Sequence, residues 1–333
     1  MNNPNIAVLG DGGWGTTLAI LLSNKGYKVS LWGAFSDYTS YLQKKRINTK
    51  FLPCVKIPKE IEITADLKNV LINKDVIVLA IPSKYIRAVL KKIKRYGFSK
   101  KTIYLSVIKG IEISSGKTMS EVIKEELGGI KLAALSGPTI ALEVAKGMPA
   151  AVVVASVNFK VRKYLQNIFM TESFRVYTKD DLIGVELGGS LKNIIAIACG
   201  ISDGLGFGTN TKAALLARGL AEISRLGHSL GAKVSTFSGI SGLGDLVTTC
   251  ISKHSRNRFV GEQIGKGISL KNIISNMQLG VAEGITTAKS AYQLSLKYKV
   301  DMPIIKEVYS VIYNNKSPLK ALKDLMDREG KEE

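Results

Sequence analysis

The stretch GDGGWG, residues 10–15, has the spacing G-x-G-x-x-G through Gly10, Gly12 and Gly15. With 32 glycines in 333 residues, roughly 0.3 such matches arise by chance, so the flanking sequence decides its meaning. Before it stands NIAVL, Asn5 to Leu9, an apolar run of the kind buried in a parallel sheet. After it stands TTLAILLSNKG, Thr16 to Gly26, in which Leu18, Leu21 and Leu22 share one helical face and Gly26 is a stop. A second strand follows at YKVSLW, Tyr27 to Trp32. Strand, glycine turn, helix and strand in this order form a dinucleotide-binding unit. Gly10 permits the tight turn, Gly12 lets the backbone approach a pyrophosphate, and Gly15 lets helix and strand pack closely. The helix N-terminus then offers free N–H groups and a partial positive charge. A plain structural turn stays open as the alternative. The second strand runs into GAFSD, residues 33–37, where Asp37 lies too far along to bind a ribose hydroxyl and no arginine marks a 2′-phosphate. NAD and NADP both remain candidates.

Further β-like runs occur at 75–82, 102–110, 131–138, 149–156 and 174–178, with helical patterns between most of them, as at 84–96 and 118–127. This alternation predicts a parallel, helix-covered sheet. Beyond residue 181 only helical patterns follow, at 184–202, 211–230, 256–266, 285–297 and 304–313. The expected fold is an α/β Rossmann-type N-terminal domain over residues 1–181 and an all-α C-terminal domain over residues 182–333. Ligands bind outside the carboxyl ends of strands in such sheets. That rule singles out Pro82–Ser83, Lys109–Gly110 and Gly137–Pro138–Thr139, with Lys109 either a solvated strand-end lysine or a binding group.

Apolar residues make up 45% of the chain and charged residues 22%, as in ordinary globular proteins. No unbroken apolar run approaches the ~18 residues of a membrane span, and no signal peptide is evident, so a cytoplasmic protein without an integral membrane segment is expected. Cys54, Cys199 and Cys250 are widely spaced, and with only His228 and His254 beside them neither a metal site nor a disulfide framework is expected. The net charge of +20 suits nucleic acid, an anionic surface or an acidic small substrate. The basic runs at 44–50 and 91–95 lack interleaved aromatics, which favours a lysine-rich solvated surface and no nucleic-acid partner.

The longest recognisable blocks are LSGPTIALEVAKGMPAA, the 174–227 segment from FRVYTKDDLIGVELGGSLKN to AEISRLG, SGLGDLVTTC, SRNRFVGEQIGKG and VAEGITTAK, together with GDGGWGTTLA, AIPS and KGIE. In this order, over nearly the whole chain, they resemble the bacterial-type NAD(P)-dependent glycerol-3-phosphate dehydrogenase family. The resemblance implies NAD(P)H-dependent reduction of dihydroxyacetone phosphate to sn-glycerol 3-phosphate for phospholipid synthesis. The expected cofactor is NAD or NADP, the expected partner a phosphorylated small molecule, and the expected assembly a homodimer. It also implies residue roles. Lys192 is catalytic, with Lys109, Asp245 and Thr249. The cofactor would meet Gly10, Gly12, Gly13, Trp14, Gly15, Lys109, Ala141, Arg256, Val281 and Glu283. The substrate would meet Lys109, Gly137, Thr139, Lys192, Asp245, Ser255, Arg256 and Asn257. Asp11 departs from the family's frequent alanine, and Ala34 from its frequent His or Arg.

Carbonyl reduction needs a hydride donor, a proton donor and charge on the developing alkoxide. Lys192 sits in the strongly apolar VELGGSLKNIIAIACGI, where burial would lower its pKa toward the working range. Asp245 would keep it oriented, and Arg256 offers a planar fork to a phosphate. His254 lies in the SKHSRN loop next to the substrate triplet and is the second candidate acid. Deleting a desolvated cation is expected to leave stability unchanged or higher. A related β-hydroxyacid or sugar-phosphate dehydrogenase is the neighbouring alternative. A basic nucleic-acid binder on the same scaffold is the alternative from another class.

Overall fold

A computed structural model describes residues 3–277, 282–330 and 332. The chain divides into two compact units, Met1–Lys109 with Lys117–Glu186, and Gly110–Gly116 with Leu187–Glu333. The strands of the first unit are β1 (Asn5–Leu9), β2 (Lys28–Trp32), β3 (Ile47–Asn48), β4 (Leu52–Lys56), β5 (Glu62–Thr64), β6 (Val76–Leu79), β7 (Ile103–Ser106), β8 (Lys131–Ser136), β9 (Ala150–Ala155) and β10 (Phe174–Lys179). β3 and β4 form a separate hairpin, and the others form one sheet in the order β10-β9-β8-β7-β6-β1-β2-β5. The chain builds outward from β1 through β2 to β5, then crosses to β6 on the other side of β1. The loops after β1 and β6 therefore flank the topological switch point, where open α/β sheets bind their ligands.

Side chains alternate across this sheet. Ile6, Val8, Val78 and Leu105 pack into one buried cluster, whereas Ala7, Leu9, Ile77, Leu79 and Tyr104 pack into another. Both faces are covered, which is why these strands read as unbroken apolar runs. The runs at 75–82, 102–110 and 131–138 extend past their strands. Their last residues, Ala80–Ser83, Val107–Gly110 and Gly137–Pro138, leave the sheet as loops at its carboxyl edge.

The sheet is not wholly parallel, which corrects the expectation from alternation. β9 runs antiparallel to β8, with Leu135 opposite Val154. The helices Ile86–Tyr96, Met119–Leu127 and Phe159–Phe169 carry the crossovers β6–β7, β7–β8 and β9–β10, and each of those pairs is parallel. Between β8 and β9 there is only the short helix Ala141–Ala145. It docks on the helix Gly13–Asn24, where Thr17 Oγ1 donates to the Ala141 carbonyl at 3.1 Å. The chain therefore turns back at the carboxyl end of β8 instead of crossing the sheet.

The second unit is built of helices, among them Leu187–Gly204 of the long helix Leu182–Gly204, then Thr209–Ser229, Asp245–Ile251, Arg256–Gly265, Glu283–Tyr298 and Pro303–Tyr313. The 110–116 segment belongs here because Ser190 Oγ donates to the Gly110 carbonyl at 3.3 Å. Among the described residues, Leu182–Gly204 is long and apolar enough to cross a membrane, but 94% of its most apolar window is buried inside the protein, as befits a core helix. It packs backbone to backbone on Arg256–Gly265. A Cβ added at Gly200 would lie 2.0 Å from the Arg258 carbonyl oxygen, and one at Gly261 2.0 Å from that of Ile197.

Glu222, buried in the helix Thr209–Ser229, accepts from the amides of Ile304 and Ile305 at 2.8 and 3.1 Å and so caps the helix Pro303–Tyr313. Burial pushes its carboxyl up to about 7, against the pull of those two amides. The folded state thus holds a proton that the unfolded chain releases near its ordinary value of 4.5. Its contribution to stability is full below that value and is lost as pH rises through about 7. At about 1.4 kcal/mol per pH unit the loss is bounded at roughly 3 kcal/mol. We expect the Tm of the protein to fall more steeply between about pH 5 and pH 7.5 than that of Glu222→Gln, measured by calorimetry. Parallel slopes would count against this assignment.

Candidate active site

The loop between β1 and its following helix is shaped by backbone contact. Gly10 has φ +125°, and a Cβ there would lie 2.4 Å from the Ala80 carbonyl oxygen. A Cβ on Gly15 would lie 1.9 Å from the Gly10 carbonyl oxygen, and one on Gly13 2.6 Å from that of Phe51. Gly12 differs, since a Cβ there meets nothing within 4 Å. Gly12 is also the N-cap of the helix Gly13–Asn24, with no side-chain cap and no acidic residue in the first turn. Trp14 Nε1 and Asp11 Oδ2 are buried without hydrogen-bond partners. An open cradle, an uncapped helix start and the orphaned Trp14 donor fit a dinucleotide pyrophosphate, whereas the Asp11 oxygen, an acceptor, calls for a hydroxyl or N–H instead.

Asn48, which the sequence did not single out, braces this loop. It is fully buried, and its Nδ2 donates to the Asp11 carbonyl and to Thr16 Oγ1, both at 2.8 Å. Its Oδ1 accepts from Tyr38 OH at 2.7 Å and from the Phe51 amide at 3.1 Å. The only local clue is an asparagine in the tight β3–β4 hairpin. Ala141 lies against Gly13, 3.7 Å from where its Cβ would be. At the ends of β7 and β8, Lys109 Nζ donates to the Gly137 carbonyl at 2.8 Å and to Thr139 Oγ1 at 3.2 Å. Gly137, at φ +146°, is pressed on the backbone of Ala151 and Val152, 3.0 Å from an added Cβ. Lys109, Gly137 and Thr139 therefore form one cluster on the first unit.

The second unit brings together Lys192, Asp245 and Thr249. Lys192 is buried on the long helix and forms an ion pair with Asp245 Oδ1, itself only 1% exposed. Lys192 Nζ also donates to Thr249 Oγ1 at 2.6 Å, and that hydroxyl donates to the Asp245 carbonyl at 2.7 Å. The register is set by spacing. Gly188 lies one turn before Lys192 and packs on the Ser241 carbonyl, 2.7 Å from an added Cβ. Asp245 follows Ser241 by four residues, through the π-helical turn Ile240–Gly244. Removing Lys192 alone would therefore strand a buried carboxylate. This overturns the expectation of unchanged stability, because one partner of a buried pair typically costs roughly 3–5 kcal/mol to delete.

Asn257 is nearly buried and bridges elements, donating to Asn193 Oδ1 at 2.9 Å and accepting from the Gly284 amide at 2.9 Å. Ser255 caps the helix Arg256–Gly265 by accepting from the Arg258 amide at 3.2 Å. Arg256 stands at that helix start in the field of the Glu283 carboxylate. Val281 lies outside the described residues. His254 is exposed in its loop. Among the described residues no three His, Cys, Asp or Glu side chains converge as a metal site.

A Rossmann-type sheet with an open glycine cradle at its switch point, followed by a helical unit holding a buried lysine–aspartate pair, defines the class of nicotinamide-dependent dehydrogenases. The particular family follows from comparison. Residues 5–162 match the family model of the NAD-dependent glycerol-3-phosphate dehydrogenase N-terminus, and residues 181–323 match that of its C-terminus. The chain is 50% identical over 331 residues to glycerol-3-phosphate dehydrogenase [NAD(P)+] of Prosthecochloris aestuarii, covering 98% of this chain and 99% of that one. It is 47% identical over 332 residues to the protein of that name in Chlorobium luteolum, covering 99% of each. Its fold matches the crystal structure of glycerol-3-phosphate dehydrogenase from Coxiella burnetii with a TM-score of 0.94, at 38% identity over 98% of this chain and 99% of that one. The chain belongs to the NAD-dependent glycerol-3-phosphate dehydrogenase family.

The glycine geometry separates binding from folding. Gly12→Val projects into open space, so the Tm should stay close to wild type while NADH binding, followed by fluorescence titration, weakens at least about 100-fold. Gly15→Ala drives a methyl into the Gly10 carbonyl and should lower the Tm markedly. Unaltered NADH affinity in Gly12→Val would reduce the loop to a structural turn.

Proposed function

We propose that the protein reduces dihydroxyacetone phosphate to sn-glycerol 3-phosphate with NADH or NADPH, reversibly, with Lys192 as general acid and base. The buried Lys192–Asp245–Thr249 constellation is the observation that carries this reading. The dinucleotide, when bound, supplies the hydride for the substrate carbonyl carbon. The electron pair of that carbonyl then moves onto its oxygen, which needs a proton. Lys192 Nζ gives that proton, and in the reverse direction takes it back. The Asp245 carboxylate provides the counter-charge a desolvated ammonium requires, and Thr249 fixes the direction of the amine. Arg256 is the candidate for the substrate phosphate, because a guanidinium fork binds oxyanions bidentately. Lys109, Gly137 and Thr139, with Ser255 and Asn257, complete the proposed substrate contacts, while Gly10 to Gly15, Ala141, Val281 and Glu283 are proposed for the cofactor. The product would feed phospholipid synthesis. Free cysteines, two of them buried, suit a reducing cytoplasm. A homodimer is the expected assembly, for sedimentation velocity to check.

Lys192→Met tests the chemical role. A positioned acid is worth about 10²–10⁴ in rate, or roughly 3–5 kcal/mol. We expect kcat to fall within that range, NADH affinity to stay within about threefold of wild type, and the Tm to drop through the stranded Asp245. Lys192→Arg keeps the ion pair but cannot exchange its proton, so it should recover stability without recovering kcat. A Met variant retaining more than about a tenth of wild-type kcat would remove Lys192 from the role, since tenfold is only about 1.4 kcal/mol.

A further inference from the structure

The end of β2 has no carboxylate of its own, since Trp32 is followed by Gly33, Ala34, Phe35 and Ser36. Yet a carboxylate stands there. A Cβ placed on Gly33 would lie 2.4 Å from Asp11 Oδ2 and 2.7 Å from Thr39 Oγ1. Asp11 reaches from the phosphate loop into the space that a side chain at position 33 would fill. Its backbone is fixed, because its carbonyl accepts from Asn48 Nδ2 at 2.8 Å and from Thr16 Oγ1 at 3.3 Å. The nearby Thr39 hydroxyl is committed elsewhere, donating to the Phe35 carbonyl at 2.8 Å. Asp11 Oδ2 is thus buried and accepts no hydrogen bond, while the residue keeps partial exposure. Such an oxygen lacks a donor that a hydroxyl would provide.

Dinucleotide-binding sheets engage the adenosine ribose hydroxyls at this strand end through an acid carried by the second strand. We infer that Asp11 supplies that acid from the phosphate loop, accepts the ribose hydroxyls, and makes the protein select NADH over NADPH. The inference rests on the dehydrogenase reading above. A 2′-phosphate would bring further negative charge against a carboxylate already stripped of water. Burial raises the pKa of Asp11, against the pull of its own backbone and of Lys50. Lys50 is the cation that could favour a 2′-phosphate instead, and it is held over the Phe51 ring at 5.2 Å.

The test is fluorescence titration of the full-length protein with NADH and with NADPH, followed by competition with 5′-AMP and with adenosine 2′,5′-bisphosphate. Wild type should bind NADH at least about tenfold more tightly than NADPH, with 5′-AMP the better competitor. Asp11→Asn keeps the shape without the charge, and Asp11→Ala removes both. In each, the NADH to NADPH affinity ratio should shrink to within about threefold. Should Asp11→Ala fail to fold, the isosteric Asp11→Asn still decides. An unchanged ratio in Asp11→Asn, with both dinucleotides bound, overturns the inference. Tighter binding of NADPH by wild type also overturns it and assigns the subsite to Lys50. Failure of wild type to bind either dinucleotide is a separate result, which sinks the dehydrogenase reading as well.

Discussion

Contact of main chain with main chain, made possible wherever a side chain is missing, is the constraint from which the rest follows. In the first unit Gly15 rests on the Gly10 carbonyl, and Gly10 rests on the Ala80 carbonyl. This locks the start of the helix Gly13–Asn24 onto the carboxyl ends of β1 and β6. In the second unit Gly188 lies on Ser241, Gly200 on Arg258, and Gly261 on Ile197. A methyl at any of these positions would overlap a backbone oxygen, and backbone cannot yield as a flexible side chain does. The functional side chains inherit their places from these contacts. Lys192 is one turn beyond Gly188, so its reach to Asp245 is fixed by the fit of Gly188 against Ser241.

That placement explains how a buried ion pair is tolerated. Taking a lysine and an aspartate out of water costs several kcal/mol per ion, on the order of what their attraction returns. An apolar pair of similar volume would serve stability equally well or better. The Lys192–Asp245 pair is therefore poorly explained as a stabilising device. What the pair does secure is an ammonium with defined neighbours, Asp245 on one side and Thr249 on another. In the role proposed for Lys192, a proton donor held this way would lose little orientational freedom when a carbonyl oxygen arrives. Glu222 follows the same logic with a different outcome, since its amide partners only partly offset its burial.

Much of this was legible in the chain because local pattern and tertiary role agree. The apolar runs of β1, β2, β6, β7 and β8 are buried on both faces, so no polar alternation obscures them. GDGGWG was interpretable because a strand precedes it and a helix follows. Three features carried little local signal. β9 is as apolar as the parallel strands β6 and β7, and only the short connection from Ser136 to Ala150 separates an antiparallel return from a crossover. Asn48 acts through a hydrogen bond to a residue 37 positions away, and an isolated asparagine in a turn ordinarily indicates turn geometry alone. The 110–116 segment joins the second unit through contacts some eighty residues distant, such as Ser190 Oγ to the Gly110 carbonyl. The antiparallel return, the brace and the excursion all depend on long-range pairing, which periodicity cannot encode.

Asp11 joins the unusual global charge to a local need. A net charge of +20 raises the potential around the molecule, a field that by itself would attract phosphate-bearing ligands without telling them apart. Such a field accelerates encounter but does not discriminate, and it favours the more highly charged of two otherwise similar dinucleotides. Discrimination then needs a short-range element of opposite sign, placed where the two ligands differ. A half-buried carboxylate over Gly33 meets that requirement, because at a desolvated position its field is screened less than those of the surface lysines. On the Asp11 inference the long-range field would act on arrival and the local carboxylate on fit.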